Sequence, residues 1–114
     1  MGVAHHANHL IWFEIGRTEL LRSRGIDYGR LEDEGIFLPV IEADCAYRAP
    51  ARYDDFLRVH TQIEGASAVR VSFTYRIESE PEGHLVATGG TRHAAVDRSG
   101  RPRRLPARIR ELLV

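Results

Sequence analysis

The first stretch of the chain carries apolar residues at helical spacing. Between residues 7 and 24 these apolar residues are separated by charged ones. They recur at three- and four-residue intervals and are Leu10, Phe13, Ile15, Leu20 and Leu21. This pattern predicts a helix with a broad apolar face. Gly25 is placed to cap its C-terminal end, and Asp27 is placed to cap a short second helix over residues 28–34.

After Gly35 the apolar positions change to a period of two, which is typical of strands. Strands are predicted over residues 37–47, 56–64, 69–77 and 84–97, with turns rich in Gly, Ser or Pro between them. Residues 106–113 are predicted to form a short terminal helix, with Pro106 at its start. The order of elements indicates an α+β fold in which one long helix packs on one face of an antiparallel sheet.

Composition places this chain among ordinary globular proteins and excludes some partners. Its 114 residues suffice for one domain, and its 16 basic and 16 acidic residues give a net charge of zero. No bulk field therefore attracts nucleic acid or anionic lipid. No apolar run is long enough to cross a bilayer and no signal-peptide pattern opens the chain, so a cytoplasmic location is predicted. Cys45 lies in a predicted strand and is expected to be a buried, inert thiol.

Three segments, in the same order along the chain, resemble the 4-hydroxybenzoyl-CoA thioesterase family, especially its YbgC-like branch. They are the stretch from Gly2 through Leu10 into Trp12-Phe13-Glu14 and Arg17, the turn over residues 47–55, and the final strand and turn over residues 90–102. The resemblance implies a single hotdog domain over residues 1–114, with a long central helix on an antiparallel sheet. It also implies hydrolysis of a small or medium acyl-CoA to free acid and CoA, by a homodimer or homotetramer. No cofactor is implied, because the coenzyme A thioester is the substrate.

This chain departs from the family pattern at its N-terminus. Family members begin with an extra strand that ends in a D-x-x-G turn, whose glycine corresponds to Gly2 and whose acid would lie before Met1. The usual nucleophile or general base is therefore absent from this sequence. The departure leaves open an alternative, a non-catalytic hotdog protein that binds acyl-CoA or an acyl carrier.

The start of the first helix carries the predicted catalytic residues His6, Asn8 and Glu14. The resemblance places an oxyanion donor at the backbone N–H of His6, and a helix start offers free donors and a favourable dipole. The His6 side chain is a candidate general base, and Asn8 would cap the helix or orient the substrate. Glu14 lies about 12 Å along the helix from His6. That is too far for attack on the same carbonyl, so an ion pair with Arg17 or a partner subunit is expected.

Two further groups are predicted to contact the substrate. The first group, around the helix start, is Gly2, Val3, His5 and His9. The second group, in the last strand, is Gly90 and Thr91. The glycines of the last strand are also expected to allow close packing of its backbone against the helix or the pantetheine arm. His5 and His9 stand four residues apart, but the spacing is not HExxH, and no metal site is predicted.

The C-terminal turn is locally basic and is predicted to bind the CoA phosphates. Arginine forks suit phosphate oxygens, and four arginines are candidates: Arg98, Arg101, Arg103 and Arg104. An ordinary solvated surface is the competing interpretation.

Overall fold

Three helices and four strands make up the described part of the computed structural model, which covers residues 6–49, 56–80 and 83–113 (backbone only for residues 6–8). In chain order they are α1 His6–Ser23, α2 Tyr28–Asp33, β1 Val40–Tyr47, β2 Phe56–Ala66, β3 Arg70–Glu80, β4 Leu85–Ala94 and α3 Ala107–Leu112. The α+β class is confirmed. None of the helices in the described ranges is both long and apolar enough to span a membrane.

The four described strands form one antiparallel sheet in the order β1-β4-β3-β2. The period-two pattern of β3 is confirmed, because Val71, Phe73, Tyr75 and Ile77 are all buried on one face. Tyr75 pairs with Gly89 on one side and with Thr61 on the other, which brings these residues onto the same face.

Helix α1 covers that face, and two close approaches fix its position. Gly16 lies so near β2 that a Cβ at this position would stand 2.8 Å from Cγ1 of Val59 and would also clash with the Thr61 side chain. Phe13 is fully buried against Gly89 of β4 and stacks on Tyr75, with ring centroids 4.3 Å apart. The strand glycine thus packs against the helix, one of the two alternatives that the sequence left open.

The predicted helix caps are confirmed. Gly25 has a φ of 85°, and the N–H groups of Gly25 and Ile26 donate to the carbonyls of Arg22 and Leu21, which closes the end of α1. Asp27 accepts a hydrogen bond of 2.8 Å from the N–H of Gly29 and caps α2.

The predicted outer limits of two strands were wrong. β1 begins at Val40 rather than at residue 37, because Pro39 has no N–H to donate to a ladder. Phe37 instead forms an isolated bridge with Val96, with both hydrogen bonds at 2.9 Å. This bridge lies beyond the end of β4 at Ala94, so the predicted continuation of the last strand to residue 97 is a separate short pairing.

Cys45 is half-buried, so the prediction of a buried thiol was wrong. The cause is the position of β1, which pairs with β4 on one side and lies at an edge of the described sheet. The partial burial of Cys45 raises the pKa of its thiol, which is in keeping with an inert side chain. The turn over residues 50–55, which carried part of the family resemblance, lies outside the described residues.

Candidate functional site

The start of α1 is the first candidate site. The helix begins at His6, and the first turn of a helix leaves N–H groups without intrahelical acceptors. Its first turn contains no acidic residue, so the positive end of the helix dipole is not neutralised from within the helix. The predicted site residues Gly2, Val3 and His5 lie outside the described residues, as do the side chains of His6 and Asn8.

His9 is buried at the base of this helix start, with only 4% of its surface exposed. Its ring makes edge contacts with Trp12 and Tyr47, with centroid separations of 4.9 and 4.8 Å. Tyr47 ends β1, so His9 joins the helix start to the edge strand. The predicted contact of His9 with substrate stays a prediction.

A cavity of about 690 Å³ opens farther along α1. Its walls are the middle of α1, helix α2, the segment before β1 and the turn after β4. The volume lies within the range of small-molecule sites. Apolar and aromatic side chains line one part of the cavity, and polar side chains converge on another. Its lining includes Glu14, Arg17, Thr18, Tyr28, Leu38 and Arg98.

Glu14 and Arg17 both line this cavity, but they do not pair with one another. Within the described ranges no ion pair of 4 Å or less joins them, so the expected Glu14–Arg17 pair was wrong. The Arg17 guanidinium instead lies beside the phenols of Tyr28 and Tyr75, where it opposes the rise in the pKa of both. Glu14 is left exposed at the cavity, where its contact with a partner subunit stays a prediction.

A buried chain of hydrogen bonds runs into the core from the cavity side, where Tyr75 lies beside Arg17. The Tyr75 hydroxyl lies 2.6 Å from Oγ1 of Thr91, which lies 2.9 Å from Nε2 of His93. At the far end, Nδ1 of His93 lies 2.9 Å from the Leu38 carbonyl oxygen. Leu38 is itself a cavity residue, so the chain begins and ends at the cavity wall.

The direction of every bond in this chain follows from its two ends. A carbonyl can only accept, so Nδ1–H of His93 donates to Leu38 and the neutral ring must accept at Nε2. Thr91 therefore donates to His93, and Tyr75 donates to Thr91. The lone pairs of the Tyr75 oxygen remain for the neighbouring Arg17 guanidinium, which can only donate.

Burial keeps the titratable members of the chain neutral. Burial lowers the pKa of His93, and the nearby Arg17 charge lowers it further. Burial also raises the pKa of both Tyr75 and Tyr28, against the opposing effect of Arg17. The phenols and the imidazole are therefore uncharged near neutral pH, as the directed chain requires.

The two predicted substrate contacts in β4 lie on opposite faces of the sheet. Thr91 faces α1 and is fully occupied by the chain between Tyr75 and His93. Gly90 is on the other face, where an added Cβ would approach the Asp44 carboxylate and the Arg92 guanidinium at 3.5 and 3.6 Å. The structure therefore does not bring Gly90 together with the cavity.

The four predicted phosphate-binding arginines differ in their contacts. Arg98 and Arg103 donate to the backbone carbonyls of Glu32 and Glu34, at 3.1 and 2.7 Å, and so hold the end of α2. Arg98 also lies over the Phe37 ring, 5.5 Å from its centroid. Arg101 and Arg104 are exposed.

Four residues of this polar site were not predicted from the sequence: Arg17, Tyr28, Tyr75 and His93. The available signal was the occurrence of polar groups at core-facing strand positions, namely Tyr75, Thr91 and His93 in β3 and β4. Within the described ranges, no cluster of three or more His, Cys, Asp or Glu side chains could hold a metal ion.

Comparison with known sequences finds relatives among thioesterases. The sequence model of the thioesterase-like superfamily matches residues 1–113. YneP of Bacillus subtilis, named as a candidate acyl-CoA thioesterase, is 35% identical over 98 residues, covering 86% of this chain and 70% of YneP.

Solved structures agree in fold. A hypothetical protein of Thermus thermophilus superposes with a TM-score of 0.92 at 37% identity, covering 99% of this chain and 85% of its own. The DHNA-CoA thioesterase of Staphylococcus aureus superposes with a TM-score of 0.87 at 32% identity, covering 92% of this chain and 70% of its own. These superpositions support the predicted hotdog-like fold, and the chain belongs to the thioesterase-like superfamily.

Proposed function

We propose that this protein is an acyl-CoA thioesterase that hydrolyses a small or medium acyl-CoA to free acid and CoA. The observation that carries the proposal is the arrangement of one helix: α1 begins with backbone N–H groups that have no acceptor within the helix, and it then passes along a cavity of about 690 Å³. Thioesterase names among its relatives support the substrate class. The YbgC-like branch, the central role of α1 in the hotdog fold and the cytoplasmic location belong to the same proposal.

The helix start supplies the chemistry that thioester hydrolysis needs most. Attack on the thioester carbonyl places negative charge on its oxygen, and backbone N–H groups at a helix start stabilise such an oxyanion. We assign this role to the N–H of His6, the first residue of α1. The acyl group would then extend along α1 towards the cavity, with no cofactor taking part.

The attacking group is a water molecule activated near the helix start. Glu14 lies about 12 Å along α1 from His6, which excludes it as the base for the same carbonyl. The His6 imidazole is the base that this chain offers, with Asn8 orienting the substrate. A carboxylate located before Met1, as in the family pattern, would instead attack the thioester itself or activate the water.

Substitutions of His6 separate the backbone role from the side-chain role. Proline at the first helical position removes the N–H but is well accommodated there. His6→Pro removes both the oxyanion donor and the imidazole, whereas His6→Ala removes the imidazole alone. CoA release is measured on short, long and aromatic acyl-CoAs, with His60→Ala on the opposite face of the sheet as the matched control.

We expect His6→Pro to lower kcat about 100-fold below His6→Ala, which is the usual effect of losing one oxyanion donor. His60→Ala should behave as the parent protein. Equal activity of the Pro and Ala variants, with α1 intact by circular dichroism, would remove the backbone N–H of His6 from the mechanism.

A non-catalytic acyl-CoA binding protein is the second candidate. The observation in its favour is the position of Glu14, the nearest described carboxylate on α1, which is too far from the helix start to act there. Binding of acyl-CoA by calorimetry without any CoA release would establish this function in place of hydrolysis.

A homodimer is proposed through the edge strand β1. Strand edges associate readily, and α1 exposes apolar side chains on its surface: Leu10 at 48%, Ile11 at 51% and Ile15 at 54%. Val40 and Ile41 of β1 are also about half exposed.

Ile15→Glu should shift the mass measured by light scattering towards the monomer, whereas Leu112→Glu on the exposed part of α3 should not. An unchanged mass for Ile15→Glu would contradict a role of α1 in the interface.

Phosphate binding by the C-terminal turn is proposed for Arg101 and Arg104, the two exposed arginines of the predicted set. Arg98 and Arg103 would contribute only in addition to their contacts with α2. Replacing Arg101 and Arg104 with Ala should raise KM for an acyl-CoA. It should leave KM unchanged for the matching acyl N-acetylcysteamine thioester, which lacks the phosphates. An equal rise for both thioesters would contradict the assignment.

A further inference from the structure

The guanidinium of Arg17 is the starting point, because it lines the cavity and is held in place from behind. It lies beside the phenols of Tyr28 and Tyr75 and lowers the pKa of both. Tyr28 stands on α2 and Tyr75 on β3, so the two phenols fix Arg17 from different elements. A guanidinium has five N–H donors, and donors that the two phenols do not use are available to the cavity.

The chain behind Tyr75 fixes this arrangement further. Each hydroxyl in it has one assigned direction, from Tyr75 through Thr91 to His93. The far end is anchored on the Leu38 carbonyl, which is also at the cavity wall. A cation supported in this way presents a preorganised donor to a ligand, since little reorientation is needed on binding.

We propose that Arg17 forms a subsite for an oxygen substituent at the far end of the acyl group, and that Tyr75, Thr91 and His93 are positioning residues for it. The inference rests on the proposed thioesterase function and names the acyl groups that the same site prefers. Glu14, Glu32 and Asp97 also line the cavity, so a neutral hydroxyl is favoured over a carboxylate. Arg17 lies about 16 Å along α1 from His6, which puts the subsite far from the thioester carbonyl.

The test compares acyl-CoAs in matched pairs that differ by one terminal hydroxyl: butanoyl and 4-hydroxybutanoyl, hexanoyl and 6-hydroxyhexanoyl, octanoyl and 8-hydroxyoctanoyl. For each pair the ratio of kcat/KM gives the preference for the hydroxyl. We expect a ratio near one for the shortest pair and about 10-fold or more for the longest, as for a hydrogen bond to a charged group. A ratio of one or below in every pair would overturn the subsite.

Variants assign the preference to particular side chains. Arg17→Met keeps the length of the side chain and should reduce the ratio for the longest pair to near one. Thr91→Val should raise KM for 8-hydroxyoctanoyl-CoA by a larger factor than for octanoyl-CoA, and Thr91→Ser should restore the parent ratio. If Arg17→Met does not fold, Tyr28→Phe removes one of the two supports of Arg17 and should lower the same ratio.

Loss of the hydroxyl preference in Arg17→Met but not in Thr91→Val would overturn the positioning role alone. Absence of CoA release from every substrate would contradict the proposed function, not the subsite. In that case the same pairs are compared by calorimetry. A dissociation constant for 8-hydroxyoctanoyl-CoA that is no lower than for octanoyl-CoA would then overturn the subsite.

Discussion

The ring of Phe13 lies directly against the backbone of Gly89, so closely that a Cβ at Gly89 would stand 2.6 Å from Cε2 of the ring. This contact lets α1 approach the sheet and brings Phe13 onto Tyr75, the second member of the buried polar chain. Gly89 in β4, together with Gly16 in α1, therefore sets the distance between the helix and the sheet.

Gly89→Ala should destabilise the protein by about 1–3 kcal/mol, the usual cost of overpacking a core. The added methyl group would meet the Phe13 ring on one side and the Asp44 backbone carbonyl on the other, and backbone cannot move aside easily. Urea denaturation measures the free energy of unfolding. Gly65→Ala is the matched control, because a Cβ there meets nothing within 4 Å, and an equal loss in both variants would contradict this explanation.

Asp27→Ala should lower the free energy of unfolding by about 1 kcal/mol, which is typical for the loss of an N-cap. The Asp27 carboxylate accepts from the N–H groups of Gly29 and Arg30, and no other side chain of α2 can replace it there. Asp27→Asn keeps the acceptor oxygen and should retain most of the stability. Equal melting curves for the Ala and parent proteins would show that the cap does not stabilise α2.

Acidification should destabilise the protein through His93. The pKa of His93 is below its ordinary value of about 6.5 in the folded protein, so the unfolded chain binds a proton more readily. The contribution of His93 to stability is therefore fully present above pH 6.5 and is lost as the pH falls from there towards its lower folded pKa. The groups that face its ring are the Leu38 carbonyl, the Thr91 hydroxyl and the Phe73 ring, and the Arg17 charge of α1 acts on it as well.

Unfolding free energies of the parent protein and His93→Gln, measured between pH 8 and pH 5, test this expectation. The Gln variant is less stable at pH 8 because it disturbs the chain, but its stability should fall less steeply below pH 6.5. Parallel curves would show that His93 does not titrate in this range.

Alkylation of Cys45 should be slower than that of an unfolded cysteine peptide at the same pH. The thiol pKa is raised by burial, so less of the reactive thiolate is present. Iodoacetamide labelling followed by mass spectrometry gives the rate. A rate at or above that of the peptide would contradict the raised pKa.

Much of the fold was predictable from the sequence because it depends on local pattern. The period of two in β3, the cap at Asp27 and the glycine at the end of α1 are all properties of neighbouring residues, and the structure confirms them. The extent of β1 could not be predicted from local pattern, because it depends on where Pro39 meets the end of β4.

The polar chain could not be predicted, since its members come from four separate parts of the sequence. Tyr75 and Thr91 meet only because Gly89 stands opposite Tyr75 in the register of β3 and β4. Arg17 joins them only because α1 approaches the sheet at Phe13 and Gly16. Sequence pattern indicates which face a residue occupies, but not which residues of different elements become neighbours.

In a redesign of this core, the directed chain makes Tyr75, Thr91 and His93 one energetically coupled unit rather than three independent sites. Each single replacement by an apolar residue leaves a buried donor or acceptor of its neighbour without a partner, which costs more than the hydrogen bond itself contributes. Replacing all three together by apolar side chains of similar shape removes the stranded groups at the same time. The triple change should therefore cost less than the sum of the single changes, and related sequences should gain or lose these polar residues as a set.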